Sequence, residues 1–203
     1  MVTVIIPSIG RSTLLHSLKS LINQSNLYWK CLVGFDGINS IEKIQFPLPK
    51  DPRIEYIFFP DKLGIDGQHG QAGKVRNNLI EMAKTDWVCF LDDDDTFKDA
   101  YIKTLYEEIR SSKSVVHMFR MTYNKDNSFV LPIEKKVKSS YVGISFAVNI
   151  NFLKNNDIKF DNGQYEDFDL LVNIEKKGGE INWTDHILYN VRWQEKKEKK
   201  IWT

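Results

Sequence analysis

The chain opens on an apolar run, Val2 to Ile6, stopped by Pro7 and followed by a loop containing Gly10. Beyond it Leu14, Leu15, Leu18, Leu21 and Ile22 recur at helical spacing, which predicts a helix that Ser12 or Thr13 can cap. Leu32 to Phe35 predicts a second strand ending at Asp36-Gly37, and Ile54 to Phe59 a third. A glycine-dotted loop from Gly64 to Gly73 leads into a helix with Val75, Leu79, Met82 and Ala83 on one face. A strand from Trp87 and a helix bearing Tyr101, Ile102, Leu105, Tyr106 and Ile109 follow. Strand and helix alternating in this way predict an α/β fold, a mainly parallel central sheet with helices on both faces. Such a sheet leaves its ligand site at the carboxyl ends of the strands.

The second half is less regular. Ser114 to Met121 and Ser145 to Ile150 read as strands, and Glu166 to Lys177 as a helix ended by Gly178-Gly179. Ile181 to Thr184 and Ile187 to Trp193 read as two further strands. No repeat and no Pro/Gly/Ser-rich linker divides the 203 residues, so a single domain spanning 1–203 is expected, closed by a fraying tail over 194–203.

Charge and cysteine content narrow the function. A net charge of +1 exerts no global pull on a phosphate backbone, which argues against nucleic acid. Cys31 and Cys89 lie inside apolar runs and read as small buried residues, consistent with a reducing compartment. No stretch is long and apolar enough for a membrane helix and no basic-then-apolar leader opens the chain, so a cytoplasmic location and no membrane span are expected.

The strongest chemical signal is Asp92-Asp93-Asp94-Asp95 directly after the Trp87 strand. Like charges at this spacing repel, and a hard divalent cation, Mg²⁺ or Mn²⁺, neutralises them well while keeping positions open for water and phosphate oxygens. Alternation along an extended segment brings Asp92 and Asp94 together and turns Asp93 and Asp95 elsewhere. Asp36 falls at the same sheet edge.

Taken together, several blocks resemble one family. They are Val4-Ile5-Ile6-Pro7-Ser8 through Gln24, Asp36-Gly37, Val75-Arg76-Asn77 after a glycine-containing loop, Phe90 to Asp95, and Glu166-Asp167 followed by Phe168-Asp169-Leu170-Leu171. Their order and spacing resemble the GT-A-fold (Rossmann-like) glycosyltransferases of the inverting family 2 type. The resemblance implies a nucleotide-diphosphate sugar donor, UDP-glucose as the first guess among UDP-sugars, and a glycan, lipid or protein acceptor hydroxyl. It implies Asp94 as a direct metal ligand and Asp92 on ribose, metal or metal-bound water, with Asp93 beside them. Asp36 is then expected at a base edge, Arg76 beside the nucleotide, and Pro7 and Ser8 along its pocket. Asp167 becomes the general base, oriented by Glu166. Residues 1–97 would form the donor half and 98–193 the acceptor half.

One departure stands out: where the family often carries Arg-X-His, Arg192-Trp193 is followed by Gln194. That leaves a third metal ligand unassigned, with His186 too early in the chain to be an obvious substitute. Blander readings exist for each block. Asp36-Gly37 is also an ordinary turn, Glu166-Asp167 ordinary first-turn acids, and Arg76 an ordinary surface cation. His16 and His69 read as structural or exposed, and Trp183 and Trp193 as core. Two rival functions fit parts of the pattern. Asp92 to Thr96 also matches the Asp-X-Asp-X-Thr nucleophile of haloacid-dehalogenase-type phosphatases, and the same fold could bind a sugar nucleotide without turnover.

Overall fold

In this computed structural model, residues 1–64, 72–123, 130–139, 141–161, 163 and 165–191 are described. The first half is built as its pattern predicts. Strands β1 (Val2–Ser8), β2 (Trp29–Phe35), β3 (Ile54–Phe58) and β4 (Trp87–Phe90) lie in the order β3-β2-β1-β4, every pair parallel. Helices α1 (Leu14–Ile22), α2 (Ile38–Glu42) and α3 (Gly73–Met82) connect them. Every residue of β1 is buried, because a central strand covered on both faces has no solvent side to mark with polar residues. At Gly34 an added Cβ would lie 2.9 Å from Val75 Cγ1, so the glycine lets α3 pack close on β2.

The second half contributes β5 (Thr96–Phe97), α4 (Tyr101–Ser111), β6 (Val116–Thr122), β7 (Val130–Leu131), β8 (Phe146–Asn149), α5 (Ile150–Asn155), α6 (Glu166–Lys176) and β9 (Ile181–Asn190). The sheet continues from β4 as β8-β6-β9-β5, with β7 beside β6. Strand β8 runs against β4 and β6, whereas β9 is parallel to β6. Consequently β1, β2, β3, β4, β6 and β9 share one direction, and their carboxyl ends open on one edge. This is the GT-A arrangement, a mainly co-directional sheet with antiparallel insertions.

Several local expectations change. The two strands expected over 181–193 are one, Ile181–Asn190, and its exposed Asp185-His186 step coincides with register shifts against Met118–Met121 of β6. Thr13 occupies the N-cap of α1 in helical conformation, and its hydroxyl caps nothing. Met82, expected on the inward face of α3, is 42% exposed. Elements α2, α5, β5 and β7 were not foreseen, being too short to establish a period. No helix of the described residues is long and apolar enough to cross a membrane.

Candidate active site

Strand β4 stops at Phe90, and the acidic run turns rather than extends. Asp95 N–H donates to Asp92 O at 3.1 Å, and Ser17 Oγ on α1 donates to the carbonyls of Asp92 and Asp95 at 3.2 and 2.7 Å. Exposure still alternates: Asp92 and Asp94 are partly open, whereas Asp93 and Asp95 are buried. Each carboxylate has protein partners. Asp92 accepts from Arg76 Nη2 at 2.6 Å, Asp94 from Arg11 Nη1 at 2.9 Å, and Asp95 from the Tyr189 hydroxyl of β9 at 2.8 Å. Asp93 accepts from Ser8 Oγ at 2.7 Å and Ile9 N–H at 3.2 Å, with Arg11 Nη1 at 3.2 Å. The repulsion within the run is therefore relieved by the chain's own cations and donors.

Asp93, expected beside the nucleotide, is buried, and its carboxylate ties Ser8 at the end of β1 to the turn that follows β4. Burial pushes its pKa up to about 6, opposed by Arg11 and Ser8. Ser8 spends its hydroxyl on this tie and its carbonyl on Asp36 N–H at 2.9 Å. Pro7 beside it is buried within β1.

Across the edge, the first turn of α6 meets α3. Gly73 N–H donates to Glu166 Oε2 at 2.7 Å, and a Cβ on Gly73 would sit 2.6 Å from that oxygen, so the position needs glycine. Glu166 Oε1 is in direct contact with Arg76 Nη1. Burial raises the pKa of Glu166 while Arg76 and the Gly73 amide restrain the rise. Arg76 itself is 3% exposed and lies 5.4 Å from the Phe160 ring centroid. Burial works against its charge, but Asp92, Glu166 and Asp167 outweigh burial and hold the guanidinium protonated. Arg76, expected beside the nucleotide, is a buried tie that joins the acidic turn to the Glu-Asp pair.

Asp167 differs from its neighbours. Its Oδ1 is buried without a hydrogen bond and lies 3.9 Å from Arg76 Nη1, while the side chain as a whole is 28% exposed. Burial lifts its pKa to about 6, Arg76 limits the rise, and Asp92 adds to it. Asp167 thus combines a carboxylate oxygen without a hydrogen bond, a partly exposed side chain and a pKa raised by burial, features that suit proton acceptance.

This constellation, a carboxylate-bearing turn at the end of a parallel strand facing a helix-borne acid pair, accompanies a direct sequence match. Residues 3–170 match the description "Glycosyl transferase family 2". The chain belongs to glycosyl transferase family 2. Comparison with curated proteins finds no match. Among solved structures, the crystal structure of S. aureus TarS 1–349 superposes with a TM-score of 0.70 at 20% identity, covering 93% of this chain and 59% of that one. The same fragment in complex with UDP-GlcNAc gives 0.72 at 19% identity, over 96% and 59%. S. aureus TarS without that truncation gives 0.70 at 18%, over 93% and 36%. At these identities the likeness is one of fold, and the chain spans 59% of the length of the TarS fragment.

Within this family 2 chain, Asp36 stands at the end of β2 and accepts from Leu63 N–H at 2.6 Å and from Gly64 N–H. It therefore fixes the start of the glycine-dotted loop. His186 is 56% exposed and pairs with Glu108 of α4 at 3.4 Å, which gives it no place at the acidic turn. His69, Arg192, Trp193 and Gln194 lie outside the described residues. Arg11 and Tyr189 were missed from sequence, since a lone cation in a loop and a tyrosine in a strand carry no periodic signal. Among the described residues no group of three or more His, Cys, Asp or Glu is placed to hold a metal.

Proposed function

We propose that this chain transfers a sugar from a nucleotide-diphosphate sugar to an acceptor hydroxyl, with inversion at the anomeric carbon. The observation that carries this reading is the single guanidinium of Arg76, bonded to Asp92 at 2.6 Å and lying 3.9 Å from Asp167. One cation thus gathers the acidic turn and the acid pair of α6 into a single cluster, which supports reading Asp92 as the donor-side carboxylate and Asp167 as the base. A UDP-sugar is the favoured donor, supported by the UDP-GlcNAc complex of the TarS fragment. UDP-glucose and UDP-GlcNAc are the first two to test.

Asp92 and Asp94 fit a hard cation, Mn²⁺ or Mg²⁺: the Asp92 side chain is 35% exposed, Asp94 lies beneath the exposed Arg11, and such ions take one or two carboxylates and complete their shell with water and phosphate. Bound there, the cation supplies positive charge for the departing diphosphate. Asp36 and the Pro7-Ser8 backbone bound the base and ribose side. Glu166, fixed by Gly73 and Arg76, holds the first turn of α6 in place. Asp167 takes the acceptor proton on its partly exposed carboxylate as the hydroxyl attacks opposite the leaving group, and one base suffices because the diphosphate leaves without a proton. Residues 1–97 act as the donor half and 98–193 as the acceptor half of one catalytic domain, with 194–203 as a tail. The acceptor is a glycan, lipid or protein hydroxyl.

Family membership weighs against the phosphatase reading of Asp92 to Thr96, and the incompletely paired Asp167 weighs against a module that binds without turnover. Thermal stabilisation by sugar nucleotides with Mn²⁺ tests the donor class, because a ligand bound by the folded form raises Tm. A several-degree rise with UDP-sugars is expected. Absence of any shift across a panel of nucleotide sugars would overturn the proposal.

A further inference from the structure

The two arginines that neutralise the acidic turn are built differently. Arg76 has a side chain only 4% exposed and faces three carboxylates, so its withdrawal would strand all of them. Arg11 has a side chain 43% exposed and reaches Asp93 and Asp94 through one nitrogen, Nη1, at 3.2 and 2.9 Å. Solvent screens a pair of that kind, so exchanging its partner costs little. The backbone beneath it is fixed. Gly10 adopts φ +78°, its N–H donates to Ser8 Oγ at 3.0 Å, and a Cβ there would meet Ser40 O at 2.0 Å. The Asp94 side chain that Arg11 pairs with is 8% exposed, so a cation that binds Asp94 Oδ2 takes the place of the guanidinium there.

We propose that Arg11 is an exchangeable counter-cation that makes divalent-metal binding depend on the nucleotide. This rests on the reading above in which Asp94 takes the metal. A metal ion arriving alone must break the Arg11–Asp94 pair and leave a guanidinium beside a divalent charge. Arriving with a nucleoside diphosphate, it brings phosphate oxygens to which the planar guanidinium donates with favourable geometry. Arg11 then passes from Asp94 to the diphosphate, and the acidic turn is never left without a positive partner. Linkage requires the effect to be reciprocal: the diphosphate tightens metal binding and the metal tightens diphosphate binding by one factor.

The test is Mn²⁺ titration followed by electron paramagnetic resonance, with and without saturating UDP, on the wild type, Arg11→Gln and Arg11→Lys, each first shown to be folded by thermal melting. Arg11→Gln is expected to bind Mn²⁺ alone about tenfold more tightly than the wild type, within the usual range of coupling between sites. The enhancement by UDP should shrink in the same variant. Arg11→Lys, which keeps the charge, should keep Mn²⁺ alone weak. Folded Arg11→Gln with unchanged or looser Mn²⁺ affinity, where UDP still tightens wild-type binding, overturns the role of Arg11 alone. Wild type that binds no Mn²⁺ even with UDP overturns the metal reading and this inference with it.

Discussion

Replacing Asp167 with Asn separates catalysis from stability in opposite directions. The rise of its pKa from an ordinary 3.8 to about 6 corresponds to about 3 kcal/mol at ~1.4 kcal/mol per unit. Its side chain is 28% exposed and water relieves part of that cost, so we expect Asp167→Asn to stabilise the fold by about 1–2 kcal/mol at pH 7.5. The sign follows from linkage. Between pH 4 and 6 the folded chain binds more protons at Asp167 than the unfolded chain, so the wild type loses stability as pH rises through that window. The advantage of the Asn variant should therefore be absent near pH 4 and complete above pH 7. In melting experiments this is roughly 2–8 °C for a chain of this size. Transfer should fall by about 10² or more with donor affinity retained, and the wild-type rate should decline below about pH 6 as Asp167 protonates. Destabilisation of Asp167→Asn at pH 7.5 would show that attraction to Arg76 outweighs burial, and unchanged turnover would remove Asp167 from the chemistry.

Other substitutions probe the remaining parts. Arg76→Ala leaves Glu166 and Asp92 without their cation and should cost about 3–5 kcal/mol, the usual penalty for breaking a buried ion pair, read by denaturant unfolding. Asp94→Asn should abolish metal-dependent UDP binding in calorimetry while leaving Tm within a few degrees; unchanged affinity would exclude it as a ligand. Gly10→Ala forces a side chain into the Ser40 carbonyl at positive φ and should destabilise by more than about 1 kcal/mol. Wild-type stability in that variant would contradict a fixed Gly10 turn.

Sequence pattern exposed the first half of the fold well, because parallel strands buried on both faces are written as apolar runs and their helices as amphipathic stripes. Boundaries at Leu14–Ile22 and Tyr101–Ser111 sit where apolar positions recur. The second half was harder to read: β5 and β7 have two residues each, and the irregular pairing of β6 with β9 blurs any period. At the site, residue types pointed to Asp92, Asp94, Glu166 and Asp167, but partners could not be inferred. Arg76 lies 90 positions from Glu166 and Tyr189 lies 94 from Asp95, contacts that only the folded sheet edge creates. Spacing alone also could not show that the acidic run leaves the strand at Phe90 and turns, which is why Asp93 faces β1.

The most direct test of a donor site at the acidic turn is a crystal structure of this chain soaked with UDP and manganese. A metal ion on Asp94 and Asp92 in contact with the diphosphate, the uracil near Asp36, and Asp167 free to receive an acceptor hydroxyl are expected. UDP bound elsewhere, or manganese absent from both aspartates at saturating concentrations, would contradict a donor site there.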